Sequence, residues 1–465
     1  MRFPAWITAL TALITAAVVF LIGQAVIQPN RPLILAAKFD TTSITPNADG
    51  ENDVTAFRYE LSRNADVTLS LLSAEGTEYI FRDHEPRVAQ LYSVLFSGVV
   101  NGYTLPGENI LGTVERRLLA NGDYRWTLTA QNTNETQTVE GTFTIAEANA
   151  ALPVISTFAL DRDIFSPNQD GVADRVEISV YLENPADLRV FLIGENNREY
   201  PINARKEGRL PGEAGRHLFD YEAGIDLNAE PPPNGTYTVV AVAQDDEGQR
   251  IRREAELTIT DGGKPLAEIA AQSVGADVVF DVQPYDEKYF TDKDKKGGLV
   301  APPGNPDAKV EQSITMQVGE MLVFMLTVEN YSDVPIRTSG PMPGTVYEQN
   351  QMAASLGEHV SPGSWRVGIQ CETSTESFPY RWAVGAADTL IEKEDPKTGE
   401  VFIYLPAQTR SVVWGAVHMT EIVDRQNPQN CWAGLIQEEV EISLRNSVVG
   451  QRDIRLVDPE AESNE

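Results

Sequence analysis

Cysteine is nearly absent from this chain: Cys371 and Cys431 are its only two. Two thiols so far apart exclude a zinc cluster, which needs closely spaced ligand pairs. Histidine is equally sparse. His84, His217, His359 and His418 are scattered, with no H-x-x-x-H pair and no neighbouring cysteine, so neither a catalytic zinc nor a Cys–His dyad is supported. Blue copper fails for the same reason, since it needs two His and a Cys with a weak axial Met. No P-loop or dinucleotide fingerprint occurs, and "GSW" at Gly363–Trp365 is not a nucleophile elbow. Basic excess is missing too. The formal charge is −31, which excludes nucleic acid as a partner because phosphate binding requires basic patches. The expectation is a protein that is not an enzyme.

What the chain does contain begins with an apolar run. No charge lies between Arg2 and Arg31, and Trp6–Ile27 is almost wholly apolar, close to the ~20 residues a helix needs to cross a bilayer. Residues 1–30 read as a single-pass membrane anchor, or as a signal segment cleaved near "LAAKF" (Leu35–Phe39). With the body outside the membrane, Cys371 and Cys431 become a candidate disulfide; two buried free thiols are the alternative.

The second positive signal is an internal repeat. "ITPNADGENDVTAFRYEL" (Ile44–Leu61) returns as "FSPNQDGVADRVEISVYL" (Phe165–Leu182), 121 residues later (166 − 45). The register continues into the strands: Thr55, Phe57, Tyr59 and Leu61 fall on Val176, Ile178, Val180 and Leu182. Period-two alternation of this kind marks strands with one buried face. Later in each copy an Asn-Gly precedes a Tyr-led strand, at Asn121–Tyr124 and Asn234–Tyr237, and a second alternating strand follows. That is a hairpin, and Trp126 on its apolar row reads as core. Each copy supplies several short strands and no amphipathic helix, the pattern of an antiparallel β-sandwich. The stretch Glu85–Leu119 of the first copy has no clear equal in the second.

Beyond Pro265 the character changes. A charged, Gly/Pro-rich segment, Asp286–Lys309, reads as a mobile loop. Runs such as Ser313–Ile336 and "EVFIYLPAQTRSVVWGAVHM" supply strands for a third sandwich. The fold class is therefore mainly β: a transmembrane helix, then three antiparallel, Ig-like β-sandwich domains. Their bounds are 38–148, 152–262 and 266–456, and 457–465 forms a disordered polar tail.

The repeated loop carries metal-ligand chemistry. With Ser166 as position 1, Asn168, Asp170 and Asp174 take positions 3, 5 and 9 of an EF-hand-type calcium loop, Gly171 the sharp turn, and Glu177 position 12. In the first copy Asn47, Asp49 and Asp53 match, but Ala56 stands at position 12. Calcium is the candidate cofactor. A metal-free network of Asx turns is the alternative, with Pro presetting φ and Gly accepting positive φ.

The motif "SPNQDGVADRVEISVYL", with "ADLRVFLIG" and "NGTYTVVAVAQDDEG" behind it, resembles the immunoglobulin-like modules of flagellar hook-capping proteins and of surface domains in gliding bacteria. That resemblance spans most of Phe158–Ile259 and, more weakly, Phe39–Ile145. It implies Ig-like sandwiches used for extracytoplasmic assembly or attachment. The functional expectation is a membrane-anchored structural or interaction protein of a bacterial cell surface, partnered by other surface or membrane-complex proteins. The alternative is a secreted glycan-binding adhesin. Four of the six Trp lie in the third unit, and aromatic faces stack on sugars; Trp382 and Trp432, in "SFPYRWAVG" and "NPQNCWAGL", are the candidate contacts.

Overall fold

A computed structural model describes residues 5–26, 31–205, 210, 212–227, 229–273, 275–304, 313–442 and 444–458. The tail beyond 458 lies outside them. One long helix, Ala5–Val26, leads into a body built of strands.

In the first unit, Ile34–Phe39, Thr55–Leu61 and Leu91–Phe96 form a three-stranded sheet. Facing it are Ser43–Ile44, Thr136–Ile145, Gly122–Gln131, Ala65–Leu72 and Glu78–Arg87, in that order. Phe57, Leu69, Leu71, Trp126 and Phe143 meet between the sheets in one apolar cluster. The second unit repeats the plan, with Ile155–Leu160, Val176–Leu182 and Gly215–Tyr221 as its smaller sheet. The alternating row Val176, Ile178, Val180 and Leu182 is fully buried, as a sandwich face requires. Both units share a further feature. The Tyr124 hydroxyl donates to the Ala120 carbonyl at 2.8 Å and that of Tyr237 to Pro233 at 2.7 Å, which is the tyrosine corner of Ig-type sandwiches.

Two expectations need correction. The sandwiches are not purely antiparallel. Ser43–Ile44 runs parallel to Thr136–Ile145, and Ile164–Phe165 parallel to Arg250–Ile259. In each unit the opening strand pairs in one sheet and its continuation crosses to the other, so the short second half meets its neighbour in parallel. The C-terminal unit also has parallel pairs, such as Ser313–Gln317 with Val449–Val457.

The second correction concerns the boundary between the modules. Residues 99–118, inside the span expected for the first domain, pair with the second. Val99–Asn101 and Thr113–Leu118 form a hairpin, and the latter strand joins the edge of Arg250–Ile259. The second unit's larger sheet thus runs Glu199–Ile202, Asp187–Ile193, Gly235–Gln244, Arg250–Ile259, then the two borrowed strands. The hairpin's ends stay in the first core through Val100 and Leu119, while Ile110 packs on the second. Gln249 seals the junction. It is fully buried, donates to the Ala151 carbonyl at 2.9 Å and accepts from the Leu118 amide at 3.2 Å.

The C-terminal unit packs Glu320–Asn330, Thr409–His418 and their neighbours against a nine-stranded sheet centred on Gln429–Gln437 and Trp365–Cys371. Its core joins Phe324, Tyr347, Trp382, Val367 and Leu435. The described part of the charged segment, residues 286–304, lies on the protein rather than apart from it. Val300 is buried, its carbonyl accepts from Trp414 Nε1 at 2.9 Å, and its amide donates to Gly344 at 2.8 Å.

Candidate functional site

The two copies of the Asn/Asp loop have one conformation. Positive φ falls on Ala48, Gly50 and Asn52 in the first and on Gln169, Gly171 and Ala173 in the second. A carboxylate at the end of each loop holds that shape. Asp53 Oδ1 accepts from the amides of Asn47 and Ala48, both at 3.0 Å, and Oδ2 from Gly50 at 2.7 Å. Asp174 Oδ1 accepts from Asn168 at 3.1 Å and Asp170 at 3.3 Å, and Oδ2 from Gly171 at 2.6 Å. Asx turns complete the set: Asn168 Oδ1 takes the Asp170 amide and Asp170 Oδ1 the Val172 amide. Asn47 and Asp49 do the same one module earlier.

This arrangement does not fit calcium. The ring of main-chain N–H groups converges on the carboxylate and makes an anion nest that the side chain fills. A cation there would face those hydrogens. The hydroxyls of Thr45 and Ser166 donate to the carbonyls of Glu51 and Val172 and hold the loop closed. Glu177 turns away to pair with Arg205 at 3.0 Å and, more loosely, Arg216 at 3.9 Å. Among the described residues no group of three or more His, Cys, Asp and Glu could hold a metal ion. Ser166, Asn168, Asp170 and Asp174 are brought together, as are Asn47, Asp49 and Asp53, but as a backbone clamp.

The two loops differ in surroundings. The first is exposed at Ala48, Asp49 and Gly50. The second is pressed into the C-terminal unit, with Asn168 2% and Asp170 3% exposed. Arg337 Nε donates to the Asp170 carbonyl at 2.6 Å, and its Nη2 reaches the Pro362 carbonyl. Gln437 Nε2 donates to the Gln169 carbonyl at 2.7 Å. Gly171 and Gly363 let the backbones touch. A Cβ on Gly171 would lie 2.2 Å from the Pro362 carbonyl oxygen, and one on Gly363 2.2 Å from the Asp170 carbonyl carbon. Lys393–Asp261 at 2.6 Å and Lys397–Asp161 at 2.7 Å flank the joint. A small cavity beside it is lined by Phe165, Ser166, Asp170, Lys393, Asp395 and Tyr404.

Burial dominates the electrostatics here. It pushes the Asp170 carboxyl up to about 7, with the Asp174 charge adding to the effect against Arg337 and a Tyr404 hydrogen bond. Burial raises Asp174 as well, against the pull of its amides. Asp53, in the exposed copy, is lowered by the Asn47 amide and its neighbours. Nothing in the sequence marks Arg337, Gln437, Tyr404 or Gly363 as partners of this loop. They come from separate strands and turns, and an Arg inside the apolar run "VPIRTSG" is the one visible signal.

Cys371 and Cys431 face each other in register on adjacent strands and form a disulfide. Trp382 is no ligand platform. It is fully buried, donates from Nε1 to the Thr345 carbonyl at 3.0 Å, and packs edge-on against Phe324 and Tyr347. Trp432 is half-buried opposite Gln370. Beside them, Glu438 is buried between Arg381 at 2.6 Å and Arg366 at 3.3 Å, a structural ion pair.

The expected membrane-spanning helix is not shown. Among the described residues no helix is long and apolar enough to cross a membrane. In the helix Ala5–Val26, side chains are described for residues 9–20, and all of these are exposed.

No protein-family model matches the chain, and no curated protein does. Among solved structures it is similar to three domains of the outer capsid protein Hoc of bacteriophage RB49, at 11% identity and TM-score 0.23, over 91% of this chain and 98% of that one. It is similar also to a tetra-tandem repeat from the extending region of a large adhesion protein, at 11% identity and TM-score 0.18, over 86% and 81%. A third is a 1.5-MDa bacterial ice-binding adhesin, at 9% identity and TM-score 0.19, over 92% and 99%. Overlaps this loose carry no argument about function.

Proposed function

We propose that this chain is a membrane-anchored, extracytoplasmic structural or interaction protein whose β-sandwich modules serve assembly or attachment. The observation that carries this reading is the N-terminal helix. Leu10, Leu13, Ile14, Val18, Val19 and Phe20 are all exposed, Leu13 at 70%, on a 22-residue helix without a charged residue. Apolar side chains on every side of residues 9–20, exposed rather than covered by the described residues, suit a lipid environment. The Cys371–Cys431 disulfide supports an oxidising compartment for the rest. The glycan-binding alternative loses Trp382 to the core and keeps only the half-buried Trp432.

Fractionation of cells that make the full chain tests the reading. The protein should stay in the membrane pellet after alkaline extraction, and protease added from the extracytoplasmic side should digest its C-terminal unit. Release by alkali, or a C-terminal unit protected until the inner membrane is breached, would overturn it.

A further inference from the structure

The chain contains one loop twice and shows how one copy is bound. We propose that the exposed copy, Thr45–Asp53, is a docking element for a separate protein whose surface offers an arginine guanidinium and a side-chain carboxamide to two consecutive main-chain carbonyls. The proposal deepens the interaction role above and rests on it for its cellular setting.

In the second copy the carbonyls of Gln169 and Asp170 accept from Gln437 and Arg337, and glycine at 171 leaves room for the contact. The matching positions of the first copy are Ala48, Asp49 and Gly50. They carry the same signs of φ, and the same type of Asp clamp fixes them. Their carbonyls receive no hydrogen bond from the described residues, and a Cβ on Gly50 would meet nothing within 4 Å. The acceptor pair that the C-terminal unit reads in one module is therefore presented to solvent in the other. Because the clamp sets the loop in advance, docking costs little ordering entropy.

The occupant is neither this chain's own C-terminal unit nor that of a second copy. That cleft already holds Gln169–Gly171, tethered through a short link and so present at high effective concentration. Charge narrows the choice further. The first loop has Glu51 where the second has Val172, and Asp49 is exposed where Asp170 is buried. A basic face is the complement of that surface, consistent with arginine as the donor.

The test uses the full chain in its native membrane, with a photo-crosslinking residue at Glu51 and a control at exposed Glu183. The expected result is one discrete adduct with a different protein, formed from position 51 and not from 183. Its mapped surface should carry an arginine whose change to Ala lowers affinity for the full chain at least tenfold. Asp49→Arg, which sets a cation against that arginine, should cut the adduct at least tenfold. Asp49→Asn keeps the Asx-turn acceptor, protects against a folding artefact, and should cut the adduct about threefold. No adduct, an adduct with another copy of this chain, or a yield unchanged by both Asp49 variants would overturn the proposal. Fractionation is read separately, so a failed anchor and a failed docking loop are distinguishable.

Discussion

Asp53 and Asp174 are one residue of the same repeat in two settings, and the setting decides what each is worth. Both carboxylates accept three main-chain amides. Asp53 sits in an exposed loop whose amides turn to water once the carboxylate is removed. The amides around Asp174 lie under the C-terminal unit. Leaving buried donors unmade costs more than losing exposed bonds. Asp174→Ala should therefore destabilise its module by about 3 kcal/mol and Asp53→Ala by clearly less, as read by chemical denaturation of the full chain. Equal costs would mean that the joint adds nothing. Asp170 gives the pH dependence. Its carboxyl rises from 3.8 to about 7 on folding, so the folded chain binds the proton more tightly than the unfolded one. The stabilisation is complete below about pH 4 and fades as pH rises towards 7. Asp170→Asn should flatten the melting temperature across that window, and an unchanged slope would place the titration elsewhere. The Asn/Asp pattern was legible in the sequence, and so were both its meanings. The choice between them was not, because whether an oxygen faces a metal or its own backbone amides depends on φ at Ala48, Asn52, Gln169 and Ala173.

At the level of strands, alternation was read correctly wherever one face was buried, as in Val176–Leu182 and in Tyr124, Trp126, Leu128 and Ala130. It could not assign the hairpin at 99–118. An edge strand accepts hydrogen bonds from any strand in reach, and Thr113–Leu118 found its edge on Arg250–Ile259 in the next module. Short parallel strands were missed for a related reason, since two residues carry no periodicity. The disulfide is also a matter of elements, pairing two adjacent strands 60 residues apart in sequence. Loop-closure entropy for such a link is worth about 4 kcal/mol. Cys371→Ser with Cys431→Ser should lower the stability of the C-terminal unit by about that amount, measured by urea denaturation. A loss below about 1 kcal/mol would mean that the reduced chain is already compact.

For the whole molecule, the consequence is coupling. A borrowed hairpin and Gln249 join the first unit to the second, and a buried loop with two flanking ion pairs joins the second to the third. Arg337→Ala leaves the Asp170 carbonyl without its donor and removes the bridge to Pro362. In calorimetry of the full chain, this variant should split the melting of the second and third units by several degrees, since about 2 kcal/mol of buried contact is lost. Superimposable thermograms would show that the joint is not where the units communicate.

Composition and periodicity by themselves determined a β protein, two copied modules, a third of different pattern, and an apolar start. These follow from local rules, because burying one face of a strand dictates every second residue. Tertiary structure alone decided which copy of the loop is covered, which sheet the 99–118 hairpin joins, and that Trp382 is core. Each of those depends on a partner more than thirty residues away, and no local pattern encodes the approach of two surfaces.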